Sequence, residues 1–158
     1  MSDQLTHINA QGDAEMVDVS GKSITERQAT ASSKVVFPSE VYVVLKKNGF
    51  NTKKGSLVQI AVLAGINGVK QTSNLIPLCH NIPISKADVD IQPIENGFRI
   101  HCTVKTVGQT GVEMEALTGA SLAALCIYDM CKALSHDIIL GPTQLESKSG
   151  GKRDFKRN

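Results

Sequence analysis

The chain has 158 residues, 41% of them hydrophobic and 20% charged, with a net charge of +2. This is the profile of one globular domain that can bury a core, and it excludes a disordered or fibrous chain. The opening MSDQLTHINAQGDAEMVDVS has neither a basic-apolar leader nor an Arg-rich transit pattern, and no run nears the roughly 18 apolar residues of a membrane span. A cytoplasmic protein without a membrane partner is expected.

Residues 1–22 are polar and read as a loose end, as does 149–158. From Arg27 to Phe37 the odd positions are Arg, Ala, Ala, Ser, Val and Phe, which suggests a strand. PSEVYVVLKKNG (38–49) opens on Pro38 and closes on Asn48-Gly49, the punctuation of a short helix. GSLVQIAVLAGINGVKQTSNLI (55–76) reads as a longer buried helix whose Ala61, Ala64, Gly65 and Gly68 allow another helix close. Asn96-Gly97 is a favoured two-residue hairpin turn. Centred there, strands at about 84–95 and 98–107 pair Val89, Ile91 and Pro93 with Val104, Cys102 and Ile100 on one face, and Asp88 with Lys105 on the other. The same register places His101 on the outer, polar face. A long helix over 113–134 follows, then a strand from Asp137 to about Lys148 broken by Gly141-Pro142. The order β-α-α-β-β-α-β predicts a single α+β domain: a ferredoxin-like antiparallel sheet with helices on one face, plus one extra helix.

Four segments are candidates for chemistry. On the 113–134 helix, Ala116, Leu117, Ala120, Ala123, Ala124, Ile127, Met130, Cys131 and Leu134 form one apolar face. The opposite side mixes Glu115, Thr118, Leu122, Leu125, Asp129 and Lys132, a half-buried setting in which pKa values shift. Asp129 and Lys132 are helical neighbours, and spacing alone favours a surface ion pair. His80 in LIPLCHN (75–81) ends a buried helix, where a lone His is more often structural. TKKG (52–55) sets two lysines before a helix start, where N–H groups favour an anion, although solvated lysines are the default. KSGGKRDF (148–155) has glycines between lysines but lacks the phosphate-loop pattern, with Glu146 and Arg153 at its key positions. The last eleven residues hold five basic groups against Asp154, so the tail is basic and the remainder slightly acidic. Cys79, Cys102, Cys126 and Cys131 show no zinc-like spacing and read as buried reduced thiols. With four Phe, two Tyr and no Trp, an RNA-reading sheet is not expected, so no nucleic-acid partner is assigned. A non-catalytic binding module remains the competing class, because fold alone does not decide function.

Taken together, MVDVS (16–20), TKKG, LIPLCH (75–80), GQTGVEMEALTGAS (108–121), IYDMCKA (127–133) and ESKSGGK (146–152) closely resemble the MoaC family of cyclic pyranopterin monophosphate synthases. The resemblance implies a lyase-type step of molybdenum cofactor biosynthesis. A cyclised GTP triphosphate, 3',8-cyclo-7,8-dihydroguanosine 5'-triphosphate, made by a radical-SAM partner, becomes cyclic pyranopterin monophosphate as pyrophosphate leaves. It also implies substrate contacts at Leu78, Cys79, His80, Met114 and Glu115, a catalytic acid at Asp129, essential or phosphate-facing lysines at Lys54, Lys132 and Lys148, and a strand arginine at Arg27. A homohexamer, a trimer of dimers with sites at the dimer interface, is implied as well. No redox cofactor and no resident metal are expected, with Mg²⁺ possible on the triphosphate. Three departures stand out: Ser56 for a common Asp, Asn81 for a frequent Pro, and a tail one residue short, which puts the docking of Lys152 and Phe155 in question. Glu115 and Asp129 lie 14 residues apart on one helix, about 21 Å. They cannot both touch one small substrate from the same chain, so either they serve different ends of an extended ligand or one comes from a neighbouring subunit.

Overall fold

The computed structural model describes residues 7–158. A central strand β1 (Thr25–Val36) is followed by α1 (Ser39–Lys47), a small hairpin β2 (Asn51–Thr52) and β3 (Gly55–Ser56), and α2 (Leu57–Leu75). Then come β4 (Lys86–Ile94), β5 (Gly97–Gly108), α3 (Glu113–Cys131), β6 (Ile139–Leu140), β7 (Gln144–Ser149) and β8 (Phe155–Lys156). The main sheet runs β4-β5-β1-β7-β8, every pairing antiparallel, with β6 also on β1. This is the predicted ferredoxin-like order, with α1 as the extra helix.

Alternation along the strands explains the core. Ala29, Ala31 and Val35 of β1, Ile100, Cys102 and Val104 of β5, and Val89 and Ile91 of β4 are buried on the face that carries α2 and α3. Phe98 is enclosed by Phe37 and Phe50, with ring centroids 6.1 and 5.0 Å away. The helices touch through small residues. A Cβ on Gly65 would lie 3.1 Å from the Gly119 carbonyl, one on Gly68 2.9 Å from Leu122, and one on Gly119 2.6 Å from Cys102 Sγ. Gly65 and Gly68 are thus used inside the chain and say nothing about contacts with another copy. α3 is long and apolar enough to cross a membrane by length and composition, contrary to the sequence expectation. It is nevertheless a core helix, with Ala116, Ala120, Ala123 and Ile127 buried beneath the sheet.

Several expectations need correction. The β4–β5 hairpin pairs Ile94 with Gly97 and Val89 with Cys102, two residues out of the predicted register. The loop is Glu95-Asn96, with Asn96 in the left-handed region at φ 55°. Gly97 is needed elsewhere: it pairs with Val36, and a Cβ there would strike the Val35 carbonyl. A slip of two preserves side-chain parity, so the apolar faces survive although Asp88 meets Thr103 and Pro93 is exposed. TKKG lies just before the start of α2, as expected, but as the tip of the β2–β3 hairpin. Thr52 Oγ1 donates to the Gly55 carbonyl at 3.2 Å and accepts from Lys54 N at 3.1 Å, while Ser56 caps α2 through Gln59 N. Cys102 and Cys131 are buried thiols that burial pushes up to about 12 and about 11, but Cys79 and Cys126 are only half-buried. Towards the C-terminus, Phe155 and Lys156 pair with Lys148 and Ser147 of β7.

Candidate active site

The charged residues named from the sequence gather at the two ends of α3. At its C-terminal end Asp129 accepts from Lys132 Nζ at 2.7 Å and from Lys54 Nζ at 3.3 Å. The first contact follows from i,i+3 spacing. The second is tertiary, made because the β2–β3 hairpin carries Lys54 across. The two lysines hold the Asp129 carboxyl below its usual range, Lys132 through the stronger hydrogen bond. Lys132 is raised in return, first by its hydrogen bond to Asp129. All three side chains are more than half exposed. In this chain Asp129 is a carboxylate and Lys132 a firm ammonium ion.

At the N-terminal end a cleft of about 1020 Å³ opens between the start of β1, the start of α3 and the glycine loop after β7. Among the described residues Lys22, Arg27, Lys148, Lys152 and Arg153 line it, with Glu113 as the one acidic residue. Arg27 donates from Nε to the Gly108 carbonyl at 3.0 Å, and Lys148 Nζ meets Glu113 Oε1 at 2.9 Å. The loop is seated firmly. Gly150 sits at φ 85°, where a Cβ would strike the Glu26 carbonyl. Thr25 Oγ1 donates to the Gly150 carbonyl at 2.7 Å, and Gly150 N donates to Asp154 Oδ1 at 3.1 Å. The start of α3 has no side-chain cap, so its end N–H groups add to the positive field. Five cations around an open cleft favour a polyanion.

Also near this end lie Met114, Glu115 and the Leu78–Cys79–His80 loop. Glu115 is not on a half-solvated side: it is 3% exposed, and its Oε2 has no partner among the described residues. Burial raises its carboxyl above the usual range, its own backbone N–H opposes, and Glu113 adds to the rise. The Cys79 thiol is pushed up by burial and then by the Glu115 charge, which puts that thiol in the field of the carboxylate. His80 Nε2 lies 2.7 Å from the Val17 carbonyl and so ties the loop to the N-terminal segment. Leu78 is half-buried and Met114 is exposed. Sequence reasoning missed Lys22, Thr25 and Glu113. Glu113 is one residue before the noted Met114-Glu115 pair, but nothing local tells which carboxylate faces the cleft. Among the described residues no group of three or more His, Cys, Asp and Glu side chains is placed to hold a metal.

The architecture and these clusters define an α+β domain of ferredoxin-like topology, with an anion cleft and a Lys-Asp-Lys cluster at opposite ends of one helix. Residues 16–151 match the MoaC family, and the chain belongs to it. It is 55% identical over 155 residues to the cyclic pyranopterin monophosphate synthase of Xanthomonas oryzae pv. oryzae, covering 98% of this chain and 94% of that protein. The cyclic pyranopterin monophosphate synthase of Brevibacillus brevis is 46% identical over 159 residues, covering 99% and 98%. Molybdenum cofactor biosynthesis protein 1 of Drosophila melanogaster is 49% identical over 156 residues, 98% of this chain but 27% of that longer protein.

Proposed function

We propose that this enzyme converts 3',8-cyclo-7,8-dihydroguanosine 5'-triphosphate into cyclic pyranopterin monophosphate with release of pyrophosphate, a step of molybdenum cofactor biosynthesis in the cytoplasm. The observation that carries this reading is the cationic cleft, whose Arg27, Lys148 and companions suit a triphosphate. The substrate's base lies toward Met114, Glu115 and the Leu78–His80 loop, where Glu115 Oε2 is a buried acceptor without a partner among the described residues. Lys54, Asp129 and Lys132 do the proton work. Lys132, held as a cation by Asp129, donates a proton, and Asp129 takes protons once phosphate draws the lysines away. This refines the expected role of Asp129, because a carboxyl lowered by two lysines is a base before it is an acid. Mg²⁺ enters with the triphosphate, and no redox cofactor takes part.

The roughly 21 Å between Glu115 and Asp129 supports a site shared between subunits of a hexamer built from dimers. Exposed Leu125, close in sequence to Asp129, and exposed Val43 and Val44 on α1 offer apolar surface for such contacts. Two experiments test the reading. The purified protein, given the cyclised GTP made by a radical-SAM enzyme, releases pyrophosphate; no release refutes the activity. Asp129→Asn and Lys148→Ala chains, each inactive, regain activity when unfolded together and refolded as hybrids. No recovery, or an active monomer in light scattering, refutes the shared site.

A further inference from the structure

Lys148 faces the cleft only because the β1–β7 ladder contains one residue too many. Ser32 pairs with Gln144 and Ala31 with Leu145, but Thr30 then pairs with Ser147 and Ala29 with Lys148, which leaves Glu146 without a partner. In an unbroken strand side chains alternate. Leu145, packed against the core, would be followed by Glu146 outward, Ser147 inward and Lys148 outward, away from α3. The bulge reverses that parity. Lys148 instead shares the row of buried Ala29 and reaches Glu113 at 2.9 Å. Bulges are a known means of re-aiming a side chain near a site.

The unpaired residue is also held by several contacts on the open face of the sheet. Glu146 Oε1 accepts from Ser32 Oγ and from Gln144 Nε2, the latter at 3.0 Å. Its Oε2 lies 3.7 Å from Arg157 Nε. Its carbonyl accepts from the Arg157 backbone N–H at 2.7 Å, and Arg157 Nε donates to the neighbouring Leu145 carbonyl at 2.9 Å. We infer that Glu146, which touches no part of the cleft, is a positioning residue: by locking the bulge it sets the parity that turns Lys148 toward the substrate's phosphates. The inference rests on the reading of Lys148 as a phosphate contact given above.

Binding of inorganic pyrophosphate by titration calorimetry, together with KM and kcat for pyrophosphate release, tests it in the full-length enzyme. Glu146→Ala keeps the extra residue but removes its anchors. Its pyrophosphate Kd should rise about 10-fold, the scale of a lost charge-assisted hydrogen bond, with KM rising more than kcat falls. Glu146→Gln keeps an acceptor for Ser32 and Gln144 and should stay near wild type. Deleting Glu146 removes the need for a bulge, leaves Lys148 opposite Ala29, and should bind more tightly than Glu146→Ala. A carboxylate that merely stabilised the sheet would give the reverse order. Unchanged Kd in Glu146→Ala, or weaker binding in the deletion than in the Ala variant, overturns the inference. Should the deletion fail to fold, the Gln and Ala variants decide by themselves. Lys148→Ala serves as the reference. Wild-type pyrophosphate affinity there sinks the phosphate assignment itself, an outcome distinct from failure of the Glu146 variants alone.

Discussion

Replacing Glu115 with Met should make the protein more stable and inactive. The two side chains have similar length, and Met removes both oxygens from a site that is 3% exposed. Glu115 Oε2 has no partner among the described residues. A buried unsatisfied polar group costs about 1–3 kcal/mol, so the variant should gain about that much. For a chain of this size the gain corresponds to a melting midpoint higher by about 2–12 °C. The effect has a pH signature. Burial raises the native pKa of this carboxyl, so the native state holds its proton more tightly than the unfolded chain. Wild-type stability therefore declines as pH rises from the ordinary Glu value of about 4.3 through the raised native value, and levels off above it. Below that window both states are protonated and the advantage of Met is smallest; at neutral pH it is largest. Urea melts from about pH 4 to pH 8, paired with pyrophosphate release at each pH, measure both halves. A Met variant less stable than wild type at neutral pH would mean that the carboxylate has a partner. One that turns over normally would remove Glu115 from the site.

Four further outcomes are expected. Lys54→Ala should lose turnover with an unchanged melting midpoint, because Lys54 sits exposed at a hairpin tip; normal turnover would return it to solvent. Asp129→Asn keeps shape but not charge, and kcat should fall about 10²–10⁴-fold. Lys132→Arg should bind substrate and fail at turnover, and full activity of either variant in the same assay refutes the catalytic cluster. Gly119→Ala places a Cβ 2.6 Å from Cys102 Sγ and 2.7 Å from Val69 Cγ2. Its urea midpoint should fall by the equivalent of about 1–3 kcal/mol, and wild-type stability would contradict the close α2–α3 packing.

Much of the fold was legible because it follows from period and parity. The strand pattern from Arg27 to Phe37, the helices and the faces of the hairpin all rest on spacing, and a slip of two residues left those faces intact. What was misread depends on backbones that meet from distant parts of the chain. Asn96-Gly97 reads as a turn, yet the glycine is claimed by β1. TKKG reads correctly as the approach to a helix, but the hairpin that Gly55 at φ 116° and the Thr52 hydroxyl close there was not visible. In the site, the Asp129–Lys132 contact was visible as i,i+3 spacing, while Lys54 joins it from 75 residues away. No periodicity shows that Glu115 is buried while Asp129, on the same stripe, is exposed. α2 meets that stripe at Thr118 and Leu122 through Gly68, contacts made from a distant part of the chain.

α3 sets the distance between the cationic cleft and the Lys54–Asp129–Lys132 cluster. Its glycine contacts with α2 and its buried alanines seat it closely against the rest of the fold. At about 1.5 Å per residue its 19 residues hold the ends roughly 28 Å apart. Both ends are cationic: the cleft has five basic residues against Glu113, and the far cluster two lysines against Asp129. On the proposed shared site, two such surfaces from different chains repel each other until a polyphosphate lies between them. The substrate then acts as a ligand of the assembly and must stabilise it by mass action. Added pyrophosphate should accordingly raise the melting midpoint of wild type more than that of Lys148→Ala, and lose that effect at high salt. An equal rise in both would place the bound anion away from the cleft.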